Sequence, residues 1–108
     1  MAKQPDFGAI LKQAQQMQTE MAKAQEDLKN EVVEATVGGG MVAVTMTGDM
    51  ELKEIRIDPE AVDPEDVDML QDLVLAAVNE AIRSAQELAA AKMNQAAGGL
   101  GGLGLPGL

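Results

Sequence analysis

The sequence predicts an α+β fold in which a long helix, a three-stranded antiparallel meander and a second long helix follow one another. Three observations predict this order. Apolar residues recur at steps of three and four near the start of the chain, alternation with period two follows over residues 32–57, and helical periodicity returns after an acidic junction that holds two prolines. A chain of 108 residues is expected to form one domain with a modest core.

The first helix is predicted over residues 7–30, with Asp6 as its N-cap. A helix of roughly 24 residues is ~36 Å long, which is more than a domain of this size can cover. A second copy of the chain is therefore expected to cover its apolar stripe, so we predict a homodimer. The stripe consists of Phe7, Ile10, Ala14, Met17, Met21, Ala24 and Leu28.

Two strands are predicted next, and glycines mark the turns around them. The first covers residues 32–37 and the second residues 41–47, with Gly38, Gly39 and Gly40 as a hairpin loop between them. Gly48 and Asp49 follow the second strand. Because glycine suits the first central position of a type II′ turn, a two-residue hairpin is predicted there.

The third strand is predicted over residues 50–57, and its apolar residues change parity. Met50 and Leu52 occupy even positions, whereas Ile55 and Ile57 occupy odd ones. Either a β-bulge near Lys53 resets the register, or both faces of the strand are partly buried. The sequence leaves both alternatives open.

The second helix is predicted to begin with Asp63 as N-cap and Pro64 at the first helical position, and to run to about residue 95. Leu70, Leu73 and Val74 belong to its apolar seam, and residues 86–97 are expected to project from the body. Residues 98–108 are rich in Gly and Leu and are predicted to be a flexible tail. The predicted domain therefore covers residues 1–97.

The composition argues against most enzymatic chemistry. The chain has no histidine and no cysteine, and Ser84 is its only serine, so nucleophilic triads and thiolate metal sites are not expected. The acidic run over residues 58–72 lacks the frame of a calcium-binding EF-hand loop. We therefore expect no enzyme, no cofactor, no metal and no small-molecule substrate. A carboxylate-dependent metal enzyme is the enzymatic alternative.

No apolar run approaches the ~18–20 residues that a membrane span requires, so a soluble cytoplasmic protein without a membrane partner is expected. The net charge of −10 argues at first sight against nucleic acid. The charge is uneven, however, because residues 24–72 are strongly acidic, whereas residues 1–23 carry +1 and residues 73–108 sum to zero.

A glutamine-rich surface accompanies the lysines of the first helix. Lys12, Lys23 and Lys29 lie outside its apolar seam. By itself this pattern favours an ordinary solubilising surface, although lysine and glutamine side chains also donate hydrogen bonds to phosphate oxygens.

Several stretches resemble the YbaB/EbfC family of bacterial nucleoid-associated proteins. Residues 11–18 (Leu-Lys-Gln-Ala-Gln-Gln-Met-Gln) and 25–28 are similar to its first-helix signature, and residues 42–48 to its central strand. Residues 55–59 (Ile-Arg-Ile-Asp-Pro) resemble its junction between strand and helix, and residues 68–74 its second long helix. The resemblance covers residues 7–97 in order and with matching spacing.

The resemblance implies a homodimer with helices extending like tweezers, which binds duplex DNA in the nucleoid, changes its conformation and influences gene expression. It also implies a protein that is not an enzyme. Under this interpretation Lys12 and Lys23 neutralise phosphates, with Arg83 and Lys92 supporting them from the second helix. The alternative is a helical-clamp protein-interaction or chaperone-like module, which the methionine-rich seam favours.

Overall fold

The structure, a computed structural model, describes residues 6–101 and confirms the predicted order of elements. The molecule is elongated, with extents of 81 × 26 × 16 Å, because both helices extend far beyond the sheet. None of the helices within residues 6–101 combines the length and the apolar character needed to cross a bilayer. The elements are α1 (Phe7–Asn30), β1 (Val32–Val37), β2 (Val42–Thr47), β3 (Leu52–Ile57), a 3₁₀ turn (Pro59–Ala61) and α2 (Val67–Gly101).

The core lies between the sheet and the first half of α2. The strands are antiparallel in the order β1-β2-β3, and the apolar face of β2 contributes Val42, Val44 and Met46. Small residues recur at every fourth position of α2, which lets the helix approach the sheet closely. These residues are Ala77, Ala81 and Ala85, and all three are fully buried.

A β-bulge in β3 settles the register that the sequence left open. Thr45 pairs with Glu54 and Met46 pairs with Leu52, so Lys53 is the extra residue. The bulge brings Leu52 onto the face that also carries Ile55 and Ile57, which is the face towards α2. α2 packs over β1 and β2 rather than β3, and the three side chains therefore remain 43%, 40% and 39% exposed.

The predicted glycine hairpin loop between β1 and β2 is confirmed. Gly38, Gly39 and Gly40 have φ angles of +64°, +69° and +95°, a region that side chains with a Cβ rarely adopt. The Gly40 N–H donates to the Val37 carbonyl at 3.2 Å, which closes the turn. The triplet is therefore a backbone requirement of this hairpin.

The type II′ prediction for the second hairpin is wrong. The left-handed residue of this turn is Met50, with φ +72°, and not Gly48. The Met50 N–H donates to the Thr47 carbonyl at 3.0 Å and the Thr47 N–H to the Glu51 carbonyl at 2.8 Å. The loop thus holds three residues and ends in a left-handed position, a common hairpin form.

The need for glycine at position 48 is instead explained by the contact between α1 and this hairpin. Its N–H donates to the carbonyls of Leu28 and Glu31 at 3.0 and 2.9 Å. A Cβ at position 48 would lie 2.6 Å from Leu28 Cδ2 and 3.0 Å from the Leu28 carbonyl oxygen. Glycine is required because the last turn of α1 lies directly against the hairpin.

The predicted cap of α1 is confirmed, whereas the predicted start of α2 is wrong. Asp6 accepts the Gly8 N–H at 3.0 Å. Asp63 closes a separate turn by accepting the Glu65 N–H at 2.9 Å, and Asp66 caps α2 by accepting the Met69 N–H at 3.2 Å.

The end of α2 also differs from the prediction. The helix reaches Gly101, so residues 98–101 of the predicted tail are helical. Residues 102–108 lie outside the described part of the chain. The predicted flexibility of the tail stays a prediction there.

We predict that Gly48→Ala destabilises the protein by about 1–3 kcal/mol, the usual effect of inserting a methyl group into a well-packed site. The new Cβ would clash with Leu28 and push the end of α1 away from the hairpin. Urea unfolding at fixed protein concentration measures the change. Gly98→Ala is the control, because nothing lies within 4 Å of its Cβ position. An unchanged midpoint for Gly48→Ala would contradict the contact.

Candidate nucleic-acid interface

α1 and the second half of α2 lie side by side and form an arm that extends from the sheet. Ala24 and Ala96 are both buried, and Lys92 contacts Glu31 at the base of α1. Further along, Ala96 lines the same groove as Glu20. Residue numbers thus rise along α2 as they fall along α1, so the two helices are antiparallel. We call this pair, residues 7–30 with residues 86–101, the arm.

An open groove of about 660 Å³ runs between the two helices of the arm. Lys12 lies on one wall of it, and Lys23 lines the adjoining crevice nearer the sheet. Their spacing of eleven residues is close to three helical turns, so the two lysines share one face of α1 about 16 Å apart. The groove is lined by Lys12, Gln15, Gln16, Thr19, Glu20, Gln95 and Ala96.

Lys12 and Lys23 differ from the other cationic side chains in their ion pairing. Within residues 6–101, Lys12 and Lys23 are the only cationic side chains that make no ion pair. Both are therefore available to an external anion. The paired cations are Lys29 with Glu26, Lys53 with Glu51, Arg56 with Glu34 and Glu54, Arg83 with Glu80, and Lys92 with Glu31 and Asp27.

Of the four cations predicted to contact DNA, the structure places Lys12 and Lys23 on one face of α1, and Lys92 lines the same crevice as Lys23. Arg83 does not line the groove, and its guanidinium lies 2.9 Å from Glu80. Lys92 lies between the helices with its side chain only 21% exposed, and its Nζ is 2.8 Å from Glu31 Oε1. The geometry gives Arg83 and Lys92 carboxylate partners within the chain.

Charge is separated along the molecule. Residues 31–83, which form the sheet, the acidic junction and the first part of α2, carry thirteen acidic and three basic side chains, a net charge of −10. Residues 6–30 carry four acidic and three basic side chains, and residues 84–101 one of each. Because like charges repel, a polyanion is directed towards the arm and away from the rest of the molecule.

The predicted seam divides into buried and exposed parts. Leu28 is buried beneath the Gly48 hairpin, and Met21 is half-buried. Leu73 and Val74 pack against the core, and Leu70 is half-buried. The large side chains nearer the start of α1, Phe7, Ile10 and Met17, are exposed, Phe7 to 73%.

A second apolar surface was missed by the sequence reasoning. Leu52, Ile55 and Ile57 form a row on β3, which we call the β3 strip, and α2 leaves it uncovered. β3 is also an edge strand, so one row of its backbone groups has no partner strand within the described chain. The signal was the parity change in this strand, which identifies the strip only once the bulge is placed at Lys53.

Three carboxylates of the acidic junction, residues 58–72, form hydrogen bonds within the local turns. Among the described residues, no three carboxylates come together in a way that could hold a metal ion. Asp58, Asp63 and Asp66 use their side chains to accept backbone N–H groups of the local turns. Their role in the fold is to shape the chain between β3 and α2.

The hydrogen bond to Glu31 raises the pKa of Lys92 above its ordinary value of 10.5, against an opposing effect of desolvation. We therefore predict that the stability lost in Lys92→Met is constant from neutral pH to near 10.5. Above that it diminishes, because Lys92 of the unfolded chain releases its proton first, and it is gone once Lys92 of the folded protein is deprotonated too. Urea unfolding at a series of pH values measures this difference. Lys53→Met, at an exposed pair, is the control, and an equal alkaline change there would contradict the assignment.

Known proteins resemble this chain in both sequence and fold. The chain matches the YbaB/EbfC DNA-binding family over residues 3–100. It is 58% identical to a nucleoid-associated protein of Ruminiclostridium cellulolyticum over 92% of this chain and 84% of the relative, and 55% identical to one of Acetivibrio thermocellus over 96% and 94%. The crystal structure of an uncharacterized protein from Helicobacter pylori is similar, with a TM-score of 0.68, 26% identity, and coverage of 94% of this chain and all of that one.

The order of elements, the extended shape and the matched length therefore agree with the resemblance seen in the sequence. This chain belongs to the YbaB/EbfC DNA-binding family.

Proposed function

We propose that the protein is a nucleoid-associated protein that binds duplex DNA as a homodimer, through the groove face of each arm, and performs no catalysis. The observation that carries the proposal is the pair Lys12 and Lys23, which share one helix face and make no ion pair within residues 6–101. Gln15 and Gln16 lie between them and donate to phosphate oxygens without adding charge. The Thr19 hydroxyl donates to the Gln15 carbonyl at 2.9 Å, and Glu20 adds one carboxylate to the same wall.

The family assignment supports DNA as the partner, and the names of the relatives support a place in the nucleoid. The distribution of charge supports the arm as the contact surface, since nearly all of the net charge lies elsewhere. The duplex then approaches the arm from its distal end, where repulsion from the acidic part of the molecule is weakest.

Homodimerisation is proposed because two apolar surfaces lack a cover within residues 6–101, namely the β3 strip and the start of the α1 stripe with Phe7, Ile10 and Met17. The β3 strip is about two-fifths exposed and lies on an unpaired edge strand. A second copy that packs on this strip would remove its apolar area from water and protect the edge. It would also hold two arms at a fixed separation, so that each grips the same duplex.

The small number of cations without an ion pair within residues 6–101 sets the character of binding. If Lys12 and Lys23 of two chains contact phosphate, about four counterions are released, so log K should fall with log salt concentration with a slope of roughly −3.6. Such binding is weak and tolerant of sequence. Two rigidly joined arms impose a fixed spacing on the DNA backbone. The proposal therefore includes a change in DNA conformation, and an influence on gene expression that follows from it.

We predict that the double variant Lys12→Gln/Lys23→Gln loses most of the salt dependence of DNA binding, because it removes the phosphate contacts and retains hydrogen-bonding side chains. Gel-shift titration of a short duplex at several salt concentrations measures affinity and slope. The matched control is Lys29→Gln/Lys53→Gln, which changes the net charge equally at two paired lysines. It should retain a wild-type slope.

Equal losses in both double variants would contradict the assignment of the contact face. A wild-type protein that shows no DNA retardation at low salt, but suppresses the aggregation of an unfolded client, would instead favour the helical-clamp alternative. The exposed stripe of Phe7, Ile10 and Met17 makes that outcome a real test of the proposal.

We predict that Ile55→Glu dissociates the dimer, because it places a charge at the centre of the β3 strip. Sedimentation velocity should show a species of half the wild-type mass. Thr36→Glu is the control, since Thr36 is exposed on the opposite face of the same sheet. A dimer that survives Ile55→Glu, or a wild-type protein that is monomeric at micromolar concentration, would contradict the proposed interface.

A further inference from the structure

α1 is joined to the sheet by a single residue. α1 ends at Asn30 and β1 begins at Val32, so Glu31 alone links helix and sheet. Its backbone is held on both sides, because its N–H donates to the Asp27 carbonyl at 3.0 Å and its carbonyl accepts the Gly48 N–H at 2.9 Å. Any tilt of α1 relative to the sheet requires a change in the backbone conformation at Glu31.

The Glu31 side chain is held from α2. Lys92 Nζ lies 2.8 Å from Glu31 Oε1 and 3.9 Å from Asp27 Oδ2, and this pair joins residues 61 positions apart. The Lys92 side chain is 21% exposed, against 51% or more for the other paired cations. Pairs shielded from water are screened less by salt, so this pair holds its partners more firmly than an exposed one.

The same contact affects the surface of α1. Asp27 is four residues from Lys23, a spacing at which opposite charges on a helix attract one another. Its carboxylate lies towards Lys92 instead, and Lys23 makes no ion pair with any described residue. Lys92 therefore restrains Glu31 and occupies a carboxylate that would otherwise compete with phosphate for Lys23.

We propose that Lys92 is a positioning residue for DNA binding, which acts through Glu31 and Asp27 to fix α1 and to keep Lys23 free, and does not itself contact phosphate. The inference rests on the proposed function for its effect on DNA. The restraint of α1 is a property of the protein alone and is measured separately.

The experiment uses the full chain with three changes: Lys92→Met, Lys92→Arg, and the charge exchange Glu31→Lys/Lys92→Glu. Because the chain has no cysteine, spin labels at Gln18→Cys and Gln71→Cys report the distance from α1 to the first part of α2. Labelled chains are mixed with an excess of unlabelled chains, so that each assembly carries one pair of labels. DNA affinity and its salt slope are measured on the unlabelled proteins.

Lys92→Met is expected to broaden the distance distribution and to weaken DNA binding roughly three- to tenfold, which lies within the range of about two- to thirtyfold for mutations that disturb a coupling element without touching the ligand. Lys92→Arg is expected to preserve both properties. The charge exchange should restore the distance, the affinity and the wild-type slope, because it rebuilds the pair with the lysine at position 31, which is four residues from Asp27 and can also hold that carboxylate. It also keeps the test decisive if Lys92→Met unfolds.

Three results would overturn the inference. One is an unchanged distance distribution in folded Lys92→Met. Another is a charge-exchanged protein with wild-type distances but a salt slope reduced by about one per chain, which is the signature of a lost phosphate contact. The third is a charge exchange that restores neither distance nor affinity. If the wild type binds no DNA, the proposed function fails, while the distances still decide whether Lys92 restrains α1.

Discussion

The contact between the last turn of α1 and the Gly48 hairpin is the constraint on which the rest of the structure depends. α1 makes most of its contacts with α2 and few with the sheet, so the meeting of Leu28 and Glu31 with the hairpin is where α1 is tied to the sheet. The 2.6 Å that separates a Cβ position at residue 48 from Leu28 shows how little space this junction leaves. α2 then adds a second restraint, through Lys92 and through the close approach of Ala24 and Ala96. The arm is firmly held at its base.

The separation of charge explains how a chain of net charge −10 can belong to a DNA-binding family. Affinity for a polyanion depends on the local potential where the partners meet more than on the total charge. Most carboxylates lie between residues 31 and 83, and several of them cap turns or neutralise cations. The proposed contact face needs only a few unpaired lysines, provided that repulsion comes from a distant part of the molecule.

The sequence predicted the elements because their patterns are local. The stripe of α1, the cap at Asp6, the glycine loop and the strands all follow from spacing and from the conformational preferences of single residues. Three features escaped because the preferences of single residues do not decide them. The need for glycine at position 48 comes from its contact with Leu28. The face that Leu52 occupies depends on the pairing of β3 with Thr45 and Met46. The start of α2 depends on which of Asp63 and Asp66 caps the helix. Likewise, Lys92 cannot be recognised as paired without its contact 61 residues away.

The alanines of α2 have a consequence for the whole arm. Ala77, Ala81 and Ala85 are fully buried against the sheet, and they support only the first half of a helix of 35 residues. A straight helix of that length is about 52 Å long. A small rotation where it packs on the sheet therefore produces a larger displacement at its free end. Larger side chains at these positions would therefore move the tips of the arm further than the core itself. The small residues beneath the helix therefore also determine where the tips lie.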